Sequence, residues 1–206
     1  MTRRGIPFVV SGPSGAGKGT LVQALLSEVA DLTFSVSATT RPARDGEVDG
    51  VHYHFLERPD FERRIEAGDF LEWSEYCGNL YGTLRGDVES LLVAGRDVIF
   101  DIEVNGASSI KRQLPEAALV FILPPSLTEL AARIRKRGSE TEASLVMRLA
   151  RAREEIQSLP GYDYLIMNDT IEDACSQLKA ILSAERRRVS RLDANWLDGY
   201  LQKGAR

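Results

Sequence analysis

Cysteine and histidine are scarce in this chain of 206 residues, which has two of each. Cys77 and Cys175 cannot make a disulfide framework, so we expect both thiols to be reduced. His52 and His54 stand without cysteine partners, which argues against a zinc site. No apolar run approaches the ~20 residues of a membrane span, and no apolar signal segment follows the basic N-terminus at 1–5. We therefore expect a cytoplasmic protein with no membrane partner.

The composition is ordinary for a soluble globular protein, with 43% hydrophobic and 27% charged residues. A length of 206 residues suits one domain, with room for small inserted lobes. The formal net charge of −4 argues against a generic nucleic-acid binder, so we expect no nucleic-acid partner. An anionic substrate must then be held by local clusters of arginine.

The clearest motif is a phosphate-binding loop at residues 11–20. These residues read Ser-Gly-Pro-Ser-Gly-Ala-Gly-Lys-Gly-Thr and follow the apolar run at 7–10. Gly12 and Gly17 bracket four residues, and Lys18 comes next. Small residues let the backbone N–H groups point inward at a polyphosphate, and the following helix adds its positive N-terminal end. Lys18 supplies a mobile charge for the β- and γ-phosphates.

The metal ligand of this loop is displaced. The general pattern has Ser or Thr directly after the lysine, where its hydroxyl contacts Mg²⁺. Here Gly19 stands in that position, and Thr20 comes one residue later. The phosphate cradle is therefore well supported, whereas its usual metal hydroxyl is shifted.

Apolar runs and helical periodicity alternate along the chain. We predict strands at 7–10, 34–37, 70–76, 79–81, 97–101, 117–123 and 164–167, and helices at 18–29, 59–67, 88–93, 127–137, 142–158 and 171–182. Ser126 is expected to cap the helix that follows it. The alternation predicts an α/β fold with a parallel sheet. Ligands of such sheets bind at the carboxyl ends of the strands, where the phosphate loop and Asp101 both fall.

Several separated segments together resemble the guanylate kinases, a family of nucleoside monophosphate kinases. They are residues 11–20, 34–44, 46–55, 70–82, 100–106, 121–125, 137–142 with Arg148, and 168–169. The most specific are Ser-Val-Ser-Ala-Thr-Thr-Arg-Pro-Ala-Arg at 35–44 and Gly-Asn-Leu-Tyr-Gly at 78–82. The resemblance runs from about Pro7 to Leu182, which is nearly the whole chain.

The resemblance implies a P-loop kinase that transfers the γ-phosphoryl group of ATP to GMP and gives ADP and GDP. The implied fold has a central parallel sheet flanked by helices, an inserted GMP-binding lobe and a small helical lid. The implied core comprises residues 1–36, 91–125 and 159–206, the GMP-binding lobe residues 37–90, and the lid residues 126–158.

For the GMP phosphate, the resemblance implies a clamp of Arg41, Arg44, Tyr53 and Tyr81. Two guanidinium groups can give bidentate contacts to a phosphate dianion, and two phenols add neutral donors. Taken without the resemblance, arginines in the polar segment at 39–53 are more often solvated surface residues.

For the guanine base, the resemblance implies Glu72 with Ser37 and Thr83. A carboxylate can accept hydrogen bonds from the N1–H and the 2-amino group of guanine together. Adenine has an acceptor at N1 and no 2-amino group, so it would leave the carboxylate unpaired. On the residues alone, Glu72 reads as an exposed strand residue beside Trp73.

Asp101 and Glu103 follow an apolar strand and are implied members of the GMP site. Many relatives have Asp at the second position and Gln two residues later, where this chain has Glu103 and Asn105. Both exchanges keep the functional group but change the length of the side chain that carries it. Mg²⁺ is the implied cofactor and arrives with ATP; Thr20 and Asp101 are candidates to contact it, directly or through water. The plainer interpretation is that Asp101 only ends a strand.

For ATP, the resemblance implies Gly12, Pro13, Ser14, Gly15, Ala16, Gly17, Lys18, Gly19, Thr20 and Asn168. It implies Lys18, Arg41, Arg137 and Arg148 as the catalytic set. A GMP phosphate oxygen is already an anion, so catalysis needs alignment and positive charge rather than a base. Without the resemblance, the arginine-rich lid helices read as solvated faces, and we keep that interpretation for their other arginines.

Two alternatives stay open at this point. Guanylate-kinase-like domains of scaffold proteins bind phosphopeptides without catalysis, but they typically have damaged phosphate loops, whereas this chain keeps Lys18 and Thr20. A kinase acting on a ribose phosphate would not need Ser37, Glu72 and Thr83 as a base reader. The tail at 183–206 lies beyond the resemblance. It has a rough helical spacing of apolar residues and no assigned role.

Overall fold

The computed structural model describes residues 3–136, 142–192 and 196–203. Within them the strands are β1 (Pro7–Ser11), β2 (Leu32–Phe34), β3 (Ala38–Thr39), β4 (His54–Phe55), β5 (Phe70–Tyr76), β6 (Asn79–Leu84), β7 (Asp97–Asp101), β8 (Ala118–Leu123) and β9 (Tyr164–Met167). The helices are α1 (Lys18–Glu28), α2 (Arg58–Glu66), α3 (Arg85–Val93), α4 (Val104–Gln113), α5 (Leu127–Lys136), α6 (Glu142–Ile156), α7 (Ile171–Glu185) and α8 (Trp196–Lys203).

A parallel sheet with the strand order β2-β7-β1-β8-β9 forms the centre of the described chain. This confirms the predicted α/β fold class. Strands β1, β7 and β8 are apolar except for Ser11, Asp97 and Asp101 at strand ends, which is typical of strands covered by helices on both faces. Val10 pairs with Asp101, so β1 and β7 end side by side. The phosphate loop and Asp101 therefore lie at the same edge of the sheet.

The two faces of the sheet carry separate apolar layers. Alternate residues of β1 point to opposite sides, so Phe8 and Val10 belong to one layer and Val9 to the other. The first layer takes its helical residues from α1 and α7: Leu21, Val22, Leu25, Ala174, Leu178 and Leu182. The second takes them from α3 and α4: Val88, Leu92, Ala107 and Ile110. These layers fix α1 behind the phosphate loop and α4 behind the end of β7.

A second, mixed sheet has the order β4-β3-β6-β5, and α2 packs on it. Its small core contains Ala38, Phe61, Phe70 and Leu80. The rings of Phe61 and Phe70 stack with their centroids 4.3 Å apart. This small core is distinct from the two layers of the central sheet, to one of which β5 also contributes Leu71.

Helices α5 and α6 pack on each other through Leu130, Ile134, Leu145 and Ala152. The cap predicted for α5 is confirmed, because the backbone N–H of Glu129 donates to Ser126 Oγ at 3.0 Å. The helix pair has its own small core and contacts the phosphate loop through a side chain of α6.

Some sequence predictions were wrong. Helix α4 was not predicted, since Asn105, Gly106 and two serines are weak helix formers. It forms because Val104, Ala107 and Ile110 bury one face under the sheet. The strand predicted at 34–37 ends at Phe34, and the chain then crosses to the second sheet.

The tail does not form one helix from Val189 onward. Val189–Arg191 is a single 3₁₀ turn, and α8 follows, with the rings of Trp196 and Tyr200 stacked at 5.3 Å. Across the described residues, we find no helix with the length and apolar character needed to cross a membrane. Cys77 is an exposed free thiol, and Cys175 is a buried one.

Candidate active site

The phosphate loop turns sharply between β1 and α1 and needs glycine at two tight places. Gly12 has φ 140° and Gly17 has φ 90°. A Cβ at Gly12 would lie 2.2 Å from the carbonyl oxygen of Ile122, and one at Gly17 would lie 2.5 Å from Asn168 Nδ2. Side chains at these positions would therefore push the loop away from β8 and from the end of β9.

Lys18 opens α1 and folds back over the loop. Its Nζ donates to the carbonyl oxygen of Gly12 at 2.6 Å and to that of Pro13 at 3.3 Å. The ammonium group thus lies on the concave side of the loop, where the sequence analysis expected it to meet phosphates.

Asn168 lies behind the loop and is buried. Its Nδ2 donates to the carbonyl oxygen of Ala16 at 2.7 Å, and its backbone carbonyl accepts from Arg133 Nη1 at 3.0 Å. Its Oδ1 is buried without a hydrogen-bond partner among the described residues. Asn168 therefore supports the loop from the side of β9.

A cavity of about 720 Å³ opens in front of the loop. Its lining is Gly12, Ser14, Gly15, Gly17, Lys18, Gly19, Tyr76, Asp101, Ile102, Glu103, Ser144, Arg148, Arg151 and Glu155. These residues come from the phosphate loop, the second sheet, the end of β7 and α6. The cavity is thus the place where the separate parts of the chain meet.

Two acids in the cavity are perturbed by burial. Burial raises the pKa of Asp101, and the charge of Lys18 partly opposes this. Burial likewise raises the pKa of Glu155, opposed by Arg151. A Cβ at Gly19 would lie 3.5 Å from Asp101 Oδ2, so this carboxylate adjoins the loop backbone. Thr20 lies exposed in the first turn of α1.

Helix α6 reaches the cavity with several polar side chains. Arg148 Nη2 donates to Ser14 Oγ of the phosphate loop at 2.6 Å. Arg151 Nη2 donates to Glu103 Oε2 at 2.7 Å, and Arg151 Nε donates to Glu155 Oε1 at 3.1 Å. Arg137, which was predicted to act beside Arg148, lies outside the described residues.

The predicted phosphate clamp gathers beside the second sheet. The guanidinium of Arg41 lies 5.4 Å from the ring centroid of Tyr53, and the rings of Tyr53 and Tyr81 meet edge to face at 6.1 Å. Arg41 forms a two-bonded ion pair with Glu47, with both distances at 2.9 Å. Glu47 Oε2 also accepts from the backbone N–H of Arg44, whose side chain is exposed.

Glu47 was not foreseen as part of this site. Its hydrogen bonds to Arg41 and to the backbone of Arg44 lower its pKa to about 2. It stays ionised at neutral pH and holds the guanidinium of Arg41 beside Tyr53. One feature of the sequence could have indicated Glu47. It lies three residues after Arg44, and a turn there brings its carboxylate back to the backbone of Arg44.

Glu72 and Thr83 face each other across β5 and β6. Thr83 Oγ1 donates to Glu72 Oε1 at 2.7 Å. Burial raises the pKa of Glu72, the bond from Thr83 opposes this, and the charge of Glu103 adds to it. A Cβ at Gly106 would lie 3.0 Å from Glu72 Oε2, so α4 closes over this carboxylate. Ser37 is half-buried at the start of the second sheet.

The sequence analysis also missed Arg151, Glu155, Ser144 and Tyr76. Three of them had a readable signal: positions 144, 151 and 155 share a helical face with Arg148, at spacings of four, three and seven residues. Tyr76 had none, because it ends β5 beside an ordinary turn.

Comparisons with known proteins decide the family. The guanylate kinase family model matches residues 4–185. The chain belongs to the guanylate kinase family. Its relatives include guanylate kinases of Symbiobacterium thermophilum, 49% identical over 98% of this chain and 96% of that protein, and of Clostridium perfringens (strain SM101 / Type A), 50% identical over 95% and 90%.

A solved structure agrees with these sequences. The crystal structure of guanylate kinase from Anaplasma phagocytophilum matches with a TM-score of 0.73 and 32% identity, and the match covers 92% of this chain and 90% of that one. The activity expected from the resemblance is therefore confirmed at the level of the family: a kinase that phosphorylates GMP with ATP.

Proposed function

We propose that the cavity in front of the phosphate loop is where ATP passes its γ-phosphoryl group to GMP without a general base. The observation that carries this proposal is the convergence of Lys18, Asp101 and Arg148 on one cavity. The attacking GMP phosphate oxygen is already an anion, so the residues align the reactants and stabilise charge on the migrating group.

On the donor side, residues 12–20 hold the ATP phosphates through backbone N–H groups and the positive end of α1. Lys18 leaves the carbonyl oxygens of Gly12 and Pro13 and takes phosphate oxygens instead. Asn168 keeps the loop in shape from behind. Arg148, together with Arg137, brings positive charge from the lid to the migrating phosphoryl group.

The residues beside Lys18 fit a magnesium ion that arrives with ATP, because Mg²⁺ prefers oxygen ligands and keeps several waters. Asp101 presents a carboxylate at the loop, and Thr20 carries a hydroxyl one turn into α1. In this role Asp101 holds the ion directly or through water, with Thr20 as the second candidate. The bound ion supplies charge neutralisation at the β- and γ-phosphates.

On the acceptor side, Arg41, Arg44, Tyr53 and Tyr81 bind the GMP phosphate. Glu47 keeps the Arg41 guanidinium beside Tyr53, and the exposed side chain of Arg44 folds onto the phosphate when GMP binds. Two guanidinium groups match the planar edges of a phosphate dianion.

Glu72 reads the guanine base by accepting from its N1–H and its 2-amino group. Thr83 orients the carboxylate through its bond to Oε1, and Ser37, Asp101 and Glu103 complete the site. Adenine would leave a half-buried carboxylate unpaired, which is the arrangement that discriminates most strongly between two bases.

Each of the three parts has its own role. The core (residues 1–36, 91–125 and 159–206) binds ATP, and the lobe at 37–90 binds GMP. The lid at 126–158 closes the cavity. Closure excludes water, which would otherwise take the phosphoryl group and hydrolyse ATP.

The test is an Arg44→Ala variant assayed by saturating each substrate in turn. We expect the KM for GMP to rise at least tenfold and the KM for ATP to stay within about twofold, since a bond between charged groups is worth ~1.5–3 kcal/mol. Arg63→Ala is the matched control, because Arg63 is an exposed arginine of the same lobe that pairs with Asp60. An unchanged KM for GMP in Arg44→Ala would overturn the clamp.

A further inference from the structure

Arg151 of α6 joins two parts of the cavity wall, α6 itself and the core. Its Nη2 donates to Glu103 Oε2 at 2.7 Å, and its Nε donates to Glu155 Oε1 at 3.1 Å. Glu103 belongs to the core, where it precedes α4, whereas Glu155 lies one turn further along α6. All three residues line the cavity. One guanidinium therefore binds a carboxylate on its own helix and another across the cavity.

Helix α6 thereby meets the core at two separate points. Arg148 donates to Ser14 of the phosphate loop, on the ATP side. Arg151 reaches Glu103, one helical turn further along and beyond the end of β7. Each of these contacts restrains α6, and a second contact one turn from the first further restrains the direction of the helix over the cavity. The position of the Arg148 guanidinium therefore depends on the contact that Arg151 makes.

The adjoining face of α6 is held by α5. Leu145 and Ala152 are buried against α5 in the small core of the helix pair. The face that carries Arg148 and Arg151 is thus committed to the cavity. A change at Arg151 acts on the placement of α6 over the cavity rather than on the packing of the helix pair.

The Arg151–Glu103 pair is too exposed to matter much for folding. Their side chains are 53% and 64% exposed, and such pairs contribute little to stability. An interaction of this size still changes the balance between two placements of α6 severalfold. The pair is therefore suited to set where α6 sits during the reaction.

We propose that Arg151 is a positioning residue for phosphoryl transfer: its contact with Glu103 holds α6 so that Arg148 reaches the migrating phosphoryl group. The proposal rests on the proposed function, which gives Arg148 that role. Arg151 itself touches neither substrate in this role. The carboxylate of Glu103 serves as the anchor on the core.

The test compares Arg151→Ala, Arg151→Lys, Glu103→Gln and the double variant Arg151→Ala/Glu103→Gln, with kcat measured at saturating GMP and ATP because Glu103 also belongs to the proposed GMP site. We expect Arg151→Ala to lower kcat about fivefold, the range that an exposed ion pair can supply, with the KM for ATP within about twofold and the melting temperature unchanged. Arg151→Lys keeps the charge and recovers most of the loss. The double variant loses no more kcat than Arg151→Ala alone, because both changes remove one contact.

Arg153→Ala is the matched control, since Arg153 is an exposed arginine of α6 outside the cavity lining. A wild-type kcat in Arg151→Ala, or a double variant whose losses multiply, would overturn the positioning role. Arg148→Ala separates the two levels of the account. If it keeps full kcat, the proposed function of Arg148 fails; if it is impaired while Arg151→Ala is normal, only the positioning role fails.

Discussion

Asn168 donates a hydrogen bond from Nδ2 to the carbonyl oxygen of Ala16 across 2.7 Å, and this bond ties the end of β9 to the phosphate loop. The amide fits there because Gly17 has no side chain; a Cβ at that position would lie 2.5 Å from Nδ2. The shape of the ATP site thus depends on a residue far away in the sequence.

Replacing Asn168 with Ala should loosen the loop. We expect the KM for ATP to rise about tenfold and the free energy of unfolding to fall by about 1–3 kcal/mol, because a buried carbonyl loses its partner. Substrate saturation and urea denaturation measure the two effects. The KM for GMP serves as the internal control and should change little; an equal rise in both KM values would contradict a role confined to the loop.

Replacing Lys18 with Ala should leave the fold intact and lower kcat by about a hundredfold or more, the usual effect of removing one electrostatic donor to a transition state. The hydrogen bonds from Lys18 to the carbonyl oxygens of Gly12 and Pro13 stay within the phosphate loop, so we expect the circular dichroism spectrum to stay unchanged. A folded variant with near-normal kcat would refute the role of Lys18.

Replacing Glu72 with Gln should weaken activity toward GMP while raising the stability of the protein at high pH. Guanine loses one acceptor, so kcat/KM for GMP should fall at least tenfold and discrimination against AMP should narrow. Because burial raises the pKa of Glu72, the ionised form is disfavoured in the fold, and the wild type gains stability as the pH falls through the raised pKa toward the ordinary value for glutamate. In the absence of GMP, Glu72→Gln should therefore melt higher than the wild type at pH 8, with the gap narrowing toward pH 4.

Two readings check this account of Glu72. An unchanged ratio of GMP to AMP turnover in the variant would show that another residue reads the base. A melting temperature that falls at pH 8 would show that the charge of Glu72 is not costly in the fold.

Asp97 is a buried carboxylate that binds three donors: Arg3, Arg186 and the backbone N–H of Ile6. Asp97 thereby ties the segments around Arg3 and Arg186 to β7, away from the cavity. Asp97→Asn should lower the free energy of unfolding by about 1.5–3 kcal/mol, the range for bonds to a charged group, while the KM values stay normal. Glu62→Gln, which removes an exposed ion pair with Arg58, is the control and should change stability much less. If the two variants lowered the free energy of unfolding equally, the stabilising role of Asp97 would be contradicted.

The sequence was sufficient for the central sheet and the phosphate loop because their signals are local. The runs at 8–10 and 98–100 are apolar, and both became the centres of buried parallel strands. Helix α4 could not be found in this way, since its residues favour a helix only once Ala107 and Ile110 are buried under the sheet.

The candidate site likewise contains residues that could be predicted from local sequence signals and residues that could not. Lys18 and Asp101 follow strands whose ends meet at one edge, so their proximity was predictable. The contacts of Arg151 and of Glu47 depend on how α6 and the loop at 39–53 come to rest on the other parts of the chain. Secondary-structure propensities do not indicate how these segments pack on the rest of the chain. The helical spacing that places Arg148 and Arg151 on one face of α6 was nevertheless a usable clue.

The most direct test of the central claim is phosphoryl transfer from ATP to each of GMP, AMP, CMP and UMP, followed in one coupled assay that measures ADP. The account predicts that GMP is strongly preferred and that AMP, CMP and UMP are barely used; dGMP, added as a fifth acceptor, should be accepted more weakly than GMP. Comparable turnover of AMP and GMP by the wild-type protein would contradict the account.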